Sequence, residues 1–285
     1  MRTVITPDRA KQLLDQNIEN NRSFSPGRVR RYASDMAAGR WRYNGESIKI
    51  DVRGRMIDGQ QRLRAIILSG IPQEMELVEN IPDNVVYTLD QGRGRSAADS
   101  LKMRGVAAPR VVSGATKIVL NYLDGLSVGY GQTTAAVEQF LSEFSEIETY
   151  STLANELIGI IPPSPVAACL LLGTTTGAYT EYVADFLEGL ATGANLEVGD
   201  PRLALRQAIT NQRGKAGGSR VIDPGYALHV TTRAWNAFTD GRTITTTRYN
   251  HGKQKTDLLD VNGGPKAGTG LATLRALRSF SIKKG

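Results

Sequence analysis

The chain has a single cysteine, Cys169, among its 285 residues. One thiol excludes a disulfide framework and any cysteine-built zinc site. Histidine is almost as scarce. His229 and His251 are far apart and in unlike surroundings, which argues against a histidine metal centre or a Ser-His-Asp arrangement. Long apolar runs are missing too. The longest, Val166 to Gly173, falls far short of the roughly 20 residues that span a bilayer. The opening segment, Met1-Arg-Thr-Val-Ile-Thr-Pro-Asp, turns polar within a few residues, unlike a secretory signal. These absences predict a soluble, cytoplasmic protein with no membrane partner.

What is present is a globular composition with an uneven charge. At 40% hydrophobic and 22% charged, the chain is neither collagen-like, nor coiled coil, nor wholly disordered. Its length suits one large domain or two small ones. Residues 1–110 carry 19 Lys+Arg against 13 Asp+Glu, residues 111–212 carry 3 against 11, and residues 213–285 carry 13 against 4. The net charges are thus +6, −8 and +9, which sum to the overall +7. Sixteen of the 19 basic residues in the first lobe are arginine, whose planar fork matches phosphate and carboxylate two bonds at a time. A phosphate-bearing partner is the natural reading of such a first lobe. The alternative is that these arginines pair with the acidic middle, within the chain or between subunits.

The local pattern predicts an α+β domain over residues 1–95, a mainly helical domain over 96–242, and a basic flexible tail over 243–285. Val4-Ile5 reads as a brief strand, and Thr6-Pro7 and Ser25-Pro26 read as helix N-caps with proline in the first turn. Val29, Tyr32, Ala33 and Met36 fall at i, i+3, i+4 and i+7, and Gly39 can close that helix. Ser47–Ile50 and Met56–Asp58 form a hairpin pattern around Asp51–Arg55, a helix follows from Gln60 to about Ser69, and Met75–Glu79 alternates as a strand. Beyond Ser96 the periodicity is helical over Asp99–Met103, Val111–Leu123, Thr134–Phe144, Tyr150–Ile161, Pro165–Leu190 with a break, Pro201–Asn211 and Tyr226–Phe238. Gln212–Gly218 reads as a flexible basic loop.

The sharpest signal is Ile57-Asp58-Gly59-Gln60-Gln61-Arg62-Leu63-Arg64-Ala65. A strand runs into a glycine and a helix starts at once, so free backbone N–H groups and the positive helix end face one point. Gly59 permits close backbone approach, Arg62 adds a forked contact, and Gln60 or Gln61 can bond a base or phosphate. Asp58 can orient a water, a hydroxyl or Mg²⁺, or act simply as the helix N-cap. Arg62 can equally be a salt bridge tying helix to sheet. A second constellation, Asp90-Gln-Gly-Arg93-Gly-Arg95, makes a basic turn able to close over phosphates, or a tight turn with a structural Asp-Arg pair. Trp41, between Arg40 and Arg42, can stack a base or anchor the core at a helix exit. Arg28 and Arg31 lie away from the apolar stripe of their helix. With Arg40, Arg42, Lys215 and Arg220 they are the candidate nucleic-acid contacts.

Asp58-Gly59-Gln60-Gln61-Arg62 resembles the DGQ(H/Q)R signature of the ParB/sulfiredoxin-fold superfamily. Gly59-x-x-Arg62-x-Arg64-Ala65 is similar to the glycine-arginine box by which ParB-type domains hold a nucleoside triphosphate. Asp35-Met36-x-x-Gly39-x-Trp41, Asn44-Gly45-Glu46-Ser47-Ile48 and Leu89-Asp90-Gln91-Gly92-Arg93 through Asp99 also resemble ParB-like proteins of bacteriophages and their hosts. So do Gly199-Asp200-Pro201 and Arg233 through Phe238. The resemblance implies an N-terminal ParB/sulfiredoxin-like mixed sheet with helices, in phage or bacterial host cytoplasm. It also implies ATP or CTP with Mg²⁺ as cofactor and DNA as partner. On it, Asp58 and Arg62 are catalytic, and Asp58 is also the metal ligand. Gly59, Gln60, Gln61, Arg64, Asp90, Arg93 and Arg95 then hold the nucleotide. Gln60 stands where a sulfiredoxin has its cysteine, which excludes that redox chemistry, and Gln61 replaces the histidine of DGQHR. Glu79-Asn80 resembles a ParB catalytic dipeptide, but at a strand end, and that role is not carried over. The expected activity is NTP hydrolysis or phosphate transfer directed to DNA, as in DNA modification. The alternatives are a non-catalytic DNA-binding or scaffold protein, and a metal-dependent nuclease. The acidic helical half is the surface expected to meet a second copy or another protein.

Overall fold

In the computed structural model the first strand, β1 (Arg2–Ile5), runs into α1 (Pro7–Asp15), with the Thr6 side chain accepting the N–H of Arg9 as N-cap. Residues 1–18, 24–82, 96–215, 222–247, 249 and 258–282 are described here. Ser25 caps α2 (Pro26–Ala37) in the same way, accepting from the N–H of Arg28, and Gly39 follows the helix in a left-handed conformation. Then come β2 (Ser47–Asp51), β3 (Met56–Asp58), α3 (Gln60–Ser69) and β4 (Gln73–Ile81).

The four strands form one mixed sheet in the order β1-β4-β2-β3. β1 with β4 and β2 with β3 are antiparallel, whereas β2 and β4 run parallel, as their connection through α3 requires. The apolar stripes of the three helices (Ala10, Leu13, Val29, Ala33, Met36, Leu63, Ala65, Ile66) pack on Ile5, Ile48, Ile50, Met56, Met75 and Leu77. Strand residues alternate between faces. The opposite face of the sheet therefore carries Arg2, Lys49, Glu74, Glu76 and Asp58 beside the exposed Val4 and Val78. Arg2 pairs with Glu74 there, and Tyr43 Oη donates to Glu76 at 2.6 Å.

The described residues divide into two compact units, residues 1–96 with 133–139, and residues 97–132 with 140–285. The second unit is helical: α4 (Ala97–Met103), α5 (Pro109–Leu123), the end of α6 (Thr134–Glu143), α7 (Glu146–Asn155), α8 (Pro163–Gly173), α9 (Tyr182–Thr192), α10 (Pro201–Lys215), α11 (Pro224–Thr239) and α12 (Gly270–Ile282). Every residue of α8 from Pro165 to Gly173 is buried, which marks it as the central helix on which α5, α7 and α11 pack. The break expected between Pro165 and Leu190 falls after Gly173, which separates α8 from α9.

Within the segment 243–285, expected as a flexible tail from its glycine- and threonine-rich composition, the described residues 258–282 are packed. Among the described part, residues 258–269 dock against the helices. Tyr122 Oη donates to the Pro265 carbonyl at 2.8 Å and accepts the Val261 N–H, while Trp235 Nε1 donates to the Asn262 carbonyl. Gly263 is required at that contact, since a Cβ there would lie 2.1 Å from the Gly173 carbonyl oxygen. The following α12 buries Leu274 and is clamped by arginines. Arg275 makes a bidentate pair with Glu143, at 2.6 and 2.7 Å. Arg278 reaches Glu146 and the Glu143 carbonyl while lying over the Phe144 ring. These pairs join the basic tail to the acidic middle. The expected basic loop from Gln212 also begins as helix, because α10 runs on to Lys215.

Candidate functional site

The β2–β3 hairpin is organised by Asp51. Its buried carboxylate accepts the N–H groups of Arg53 and Arg55 at 2.9 and 2.8 Å and pairs with the Arg55 guanidinium. Burial alone would push this carboxyl up. The Arg55 and Arg53 hydrogen bonds outweigh it and hold the group below the usual carboxylate range.

Between Met56 and Asp58 the hairpin carries an extra residue. Ile50 is opposite Met56, yet its neighbour Lys49 is opposite Asp58, so Ile57 is a β-bulge. The bulge decides where Asp58 points. In regular alternation Asp58 would share the core face with Met56, but the extra residue turns it to the polar face beside Lys49. Lys49 Nζ lies 2.7 Å from Asp58 Oδ2, and both side chains are largely covered.

Arg62, one turn into α3, completes the cluster. Its Nη2 lies 3.5 Å from the same Asp58 oxygen and donates to the Ser47 carbonyl at 2.6 Å, while Nη1 donates to Glu46 Oε2 at 2.7 Å. Arg62 is therefore a tie between α3 and β2 and also one arm of a Lys49–Asp58–Arg62 group.

Gly59, not Asp58, is the N-cap of α3, and no side chain caps the helix, so the reading of Asp58 as a plain cap is corrected. Gly59 has φ +107°, and a Cβ there would lie 2.4 Å from Ile48 Cδ1. Only glycine lets the chain turn from strand to helix this close to β2. No side chain caps the start of α3 beside Asp58 and Arg62.

Gln60 is buried, and Gln61 and Arg64 are half-buried. Arg64 stacks over the Phe24 ring at 4.1 Å. Gln61 Oε1, Arg62 Nε and Arg64 Nε are buried with no hydrogen-bond partner among the described residues. All three atoms lie in the first turns of α3.

The other predicted residues are dispersed. Asp90, Arg93, Arg95 and Arg220 lie outside the described residues. Lys215 is the last residue of α10. Arg28 and Arg42 are exposed and Arg31 is half-buried. Arg40 Nε is bound at 2.8 Å to the buried Asp35 carboxylate at the exit of α2. Trp41 packs edge-on against Tyr32, 5.2 Å between centroids, as a half-buried part of the core. Glu79 and Asn80 are exposed at a second strand irregularity, where Asn80 has φ +60°.

Two residues of the cluster were given no role by the sequence. Lys49 was legible only as part of an alternating strand, and Glu46 only within the Asn44-Gly45-Glu46-Ser47-Ile48 resemblance. The bulge brings the first to Asp58, and the reach of Arg62 brings in the second. Among the described residues no three His, Cys, Asp or Glu side chains gather as a metal site, and no helix is long and apolar enough to cross a membrane. No family model, curated protein or solved structure matches this chain.

Proposed function

We propose that the Asp58–Arg62 region binds the phosphates of a nucleoside triphosphate, ATP or CTP, and hydrolyses or transfers a phosphate in a DNA-directed process such as DNA modification. This reading also takes the N-terminal unit to be of the ParB/sulfiredoxin kind. One observation carries it: a bulged strand end aims a carboxylate at two cations, directly ahead of a helix start that no side chain caps. Helix N-termini and paired cations favour phosphate oxygens. In this role Asp58 takes the proton of the attacking water or hydroxyl. Arg62 and Lys49 meet the charge that grows on the phosphate oxygens. Mg²⁺ entering with a triphosphate would need one or two carboxylates from the protein, of which Asp58 would supply one. Such an ion would neutralise phosphate charge. The exposed Arg28 and Arg42 are then the best placed of the basic residues for DNA.

The test is phosphate release from ATP, CTP, GTP and dNTPs with Mg²⁺, with and without duplex DNA. Asp58→Asn and Arg62→Ala are each expected to lower kcat by about 100-fold or more, and Lys49→Met by about tenfold. Full turnover in a folded Asp58→Asn protein would remove the catalytic assignment. A second reading, a DNA-binding or scaffold protein with a non-catalytic pocket, is favoured by the satisfied fork of Arg62, whose two Nη atoms already bond Glu46 and Ser47. DNA binding without turnover in any nucleotide would select it. DNA cleavage without nucleotide would select the nuclease instead.

A further inference from the structure

The two ends of the Arg62 fork are held by very different groups. Nη2 is bound to the carbonyl of Ser47, a buried residue fixed in β2. Nη1 is bound to the carboxylate of Glu46, whose side chain is 59% exposed. Glu46 sits on the loop before β2, after Gly45 in a left-handed conformation, and its own N–H is taken by Asn44 Oδ1. The carbonyl anchor holds the guanidinium in place whatever happens at Nη1. The carboxylate can swing into water at little expense, because an exposed ion pair is weak.

A carboxylate oxygen 2.7 Å from Nη1 occupies the position that a phosphoryl oxygen of a ligand would take on the same fork. We propose that Glu46 is a built-in competitor for the anion subsite at Arg62, covering it in the free protein and giving way when an anionic ligand arrives. The inference rests on the proposal that this region takes a phosphate-bearing ligand, and it adds how access to that ligand is regulated. It also separates two roles that the sequence places side by side. Ser47 fixes the arginine, and Glu46 sets the threshold of anion concentration at which the arginine is surrendered.

Inorganic pyrophosphate is the probe, titrated calorimetrically into the full chain at low ionic strength without metal. Glu46→Gln and Glu46→Ala should each bind it about fivefold more tightly than the unmodified protein, the scale expected when an exposed competing pair is removed. In an Arg62→Ala background the Glu46 substitutions should have no effect, because there is no fork to compete for. Glu74→Gln removes a negative charge from the same face of the sheet without touching Arg62, and should leave the affinity unchanged. Unchanged or weaker binding in Glu46→Gln would overturn the proposal. So would a gain that persists without Arg62 or appears equally in Glu74→Gln, and so would failure of every variant to bind pyrophosphate. A gain in affinity with no nucleotide turnover in any protein would leave the competitor role standing and remove the catalytic one. Turnover with an unchanged affinity would do the reverse.

Discussion

Gly59 joins two constraints that most turn glycines meet singly. Its φ of +107° disfavours any L side chain, and the space a Cβ would occupy is already held by Ile48. Gly59→Ala is expected to destabilise the protein by about 2–3 kcal/mol, read from the denaturant midpoint, since backbone strain and overpacking add. Asp51 is a different case, a buried carboxylate whose bonds are stronger when it is charged. Its folded carboxyl is held below the ordinary value, so its contribution is complete above about pH 4, the unfolded range, and is lost as pH falls through the folded value. Asp51→Asn should therefore cost about 2 kcal/mol at pH 7 and progressively less on acidification, as urea titrations across that range would show. An equal loss at every pH would mean that the carboxylate's charge contributes nothing.

At the level of elements, a one-residue insertion in a three-residue strand decides which face carries the chemistry. The start of α3 and its end at Ser69 were readable, because Gly59 and Gly70 bracket a run with Leu63 and Ile66 on one side. The bulge at Ile57 was not, since Met56-Ile57-Asp58 is too short to display a break in alternation. Without the bulge there is no reason to link Asp58 with Lys49. The α12 helix was legible in principle: Leu271, Leu274 and Leu277 recur at helical spacing, with Arg275 and Arg278 directly after the second and third. Its setting among glycines and threonines hid it, and the carboxylates that complete it lie 132 residues earlier in the chain. The Arg275 guanidinium, by hydrogen bond and charge, holds Glu143 below the usual carboxylate range. Both partners are partly exposed, so the clamp is expected to weaken with salt. Arg275→Ala with Arg278→Ala should raise amide exchange across residues 270–282 while shifting global stability by less than about 1 kcal/mol. Unchanged exchange in that segment would place its anchorage in Leu274 and the preceding loop.

Across the whole molecule, the segregated charge of the sequence is partly cancelled in the fold. The acidic middle gives Glu143 and Glu146 to the C-terminal arginines, while Arg28 and Arg42 of the first unit remain exposed. If DNA is the partner proposed above, its binding should fall steeply with salt, and Arg28→Ala or Arg42→Ala should each lower the slope of log K against log [salt] by about 1. A slope unchanged in both variants would move the DNA surface elsewhere, and would leave the acidic helices as the place to look for a second copy or another protein. The single thiol has a practical consequence of its own. Cys169 is fully buried in α8, and burial pushes it up to about 12, so it is silent to alkylating reagents while the helices around it are closed. Thiol labelling in the native protein thus becomes a clock for transient opening of the helical unit, with no engineered probe. The same silence lets a cysteine placed on the surface, at Glu46 or along α12, be tagged alone with a fluorophore or spin label.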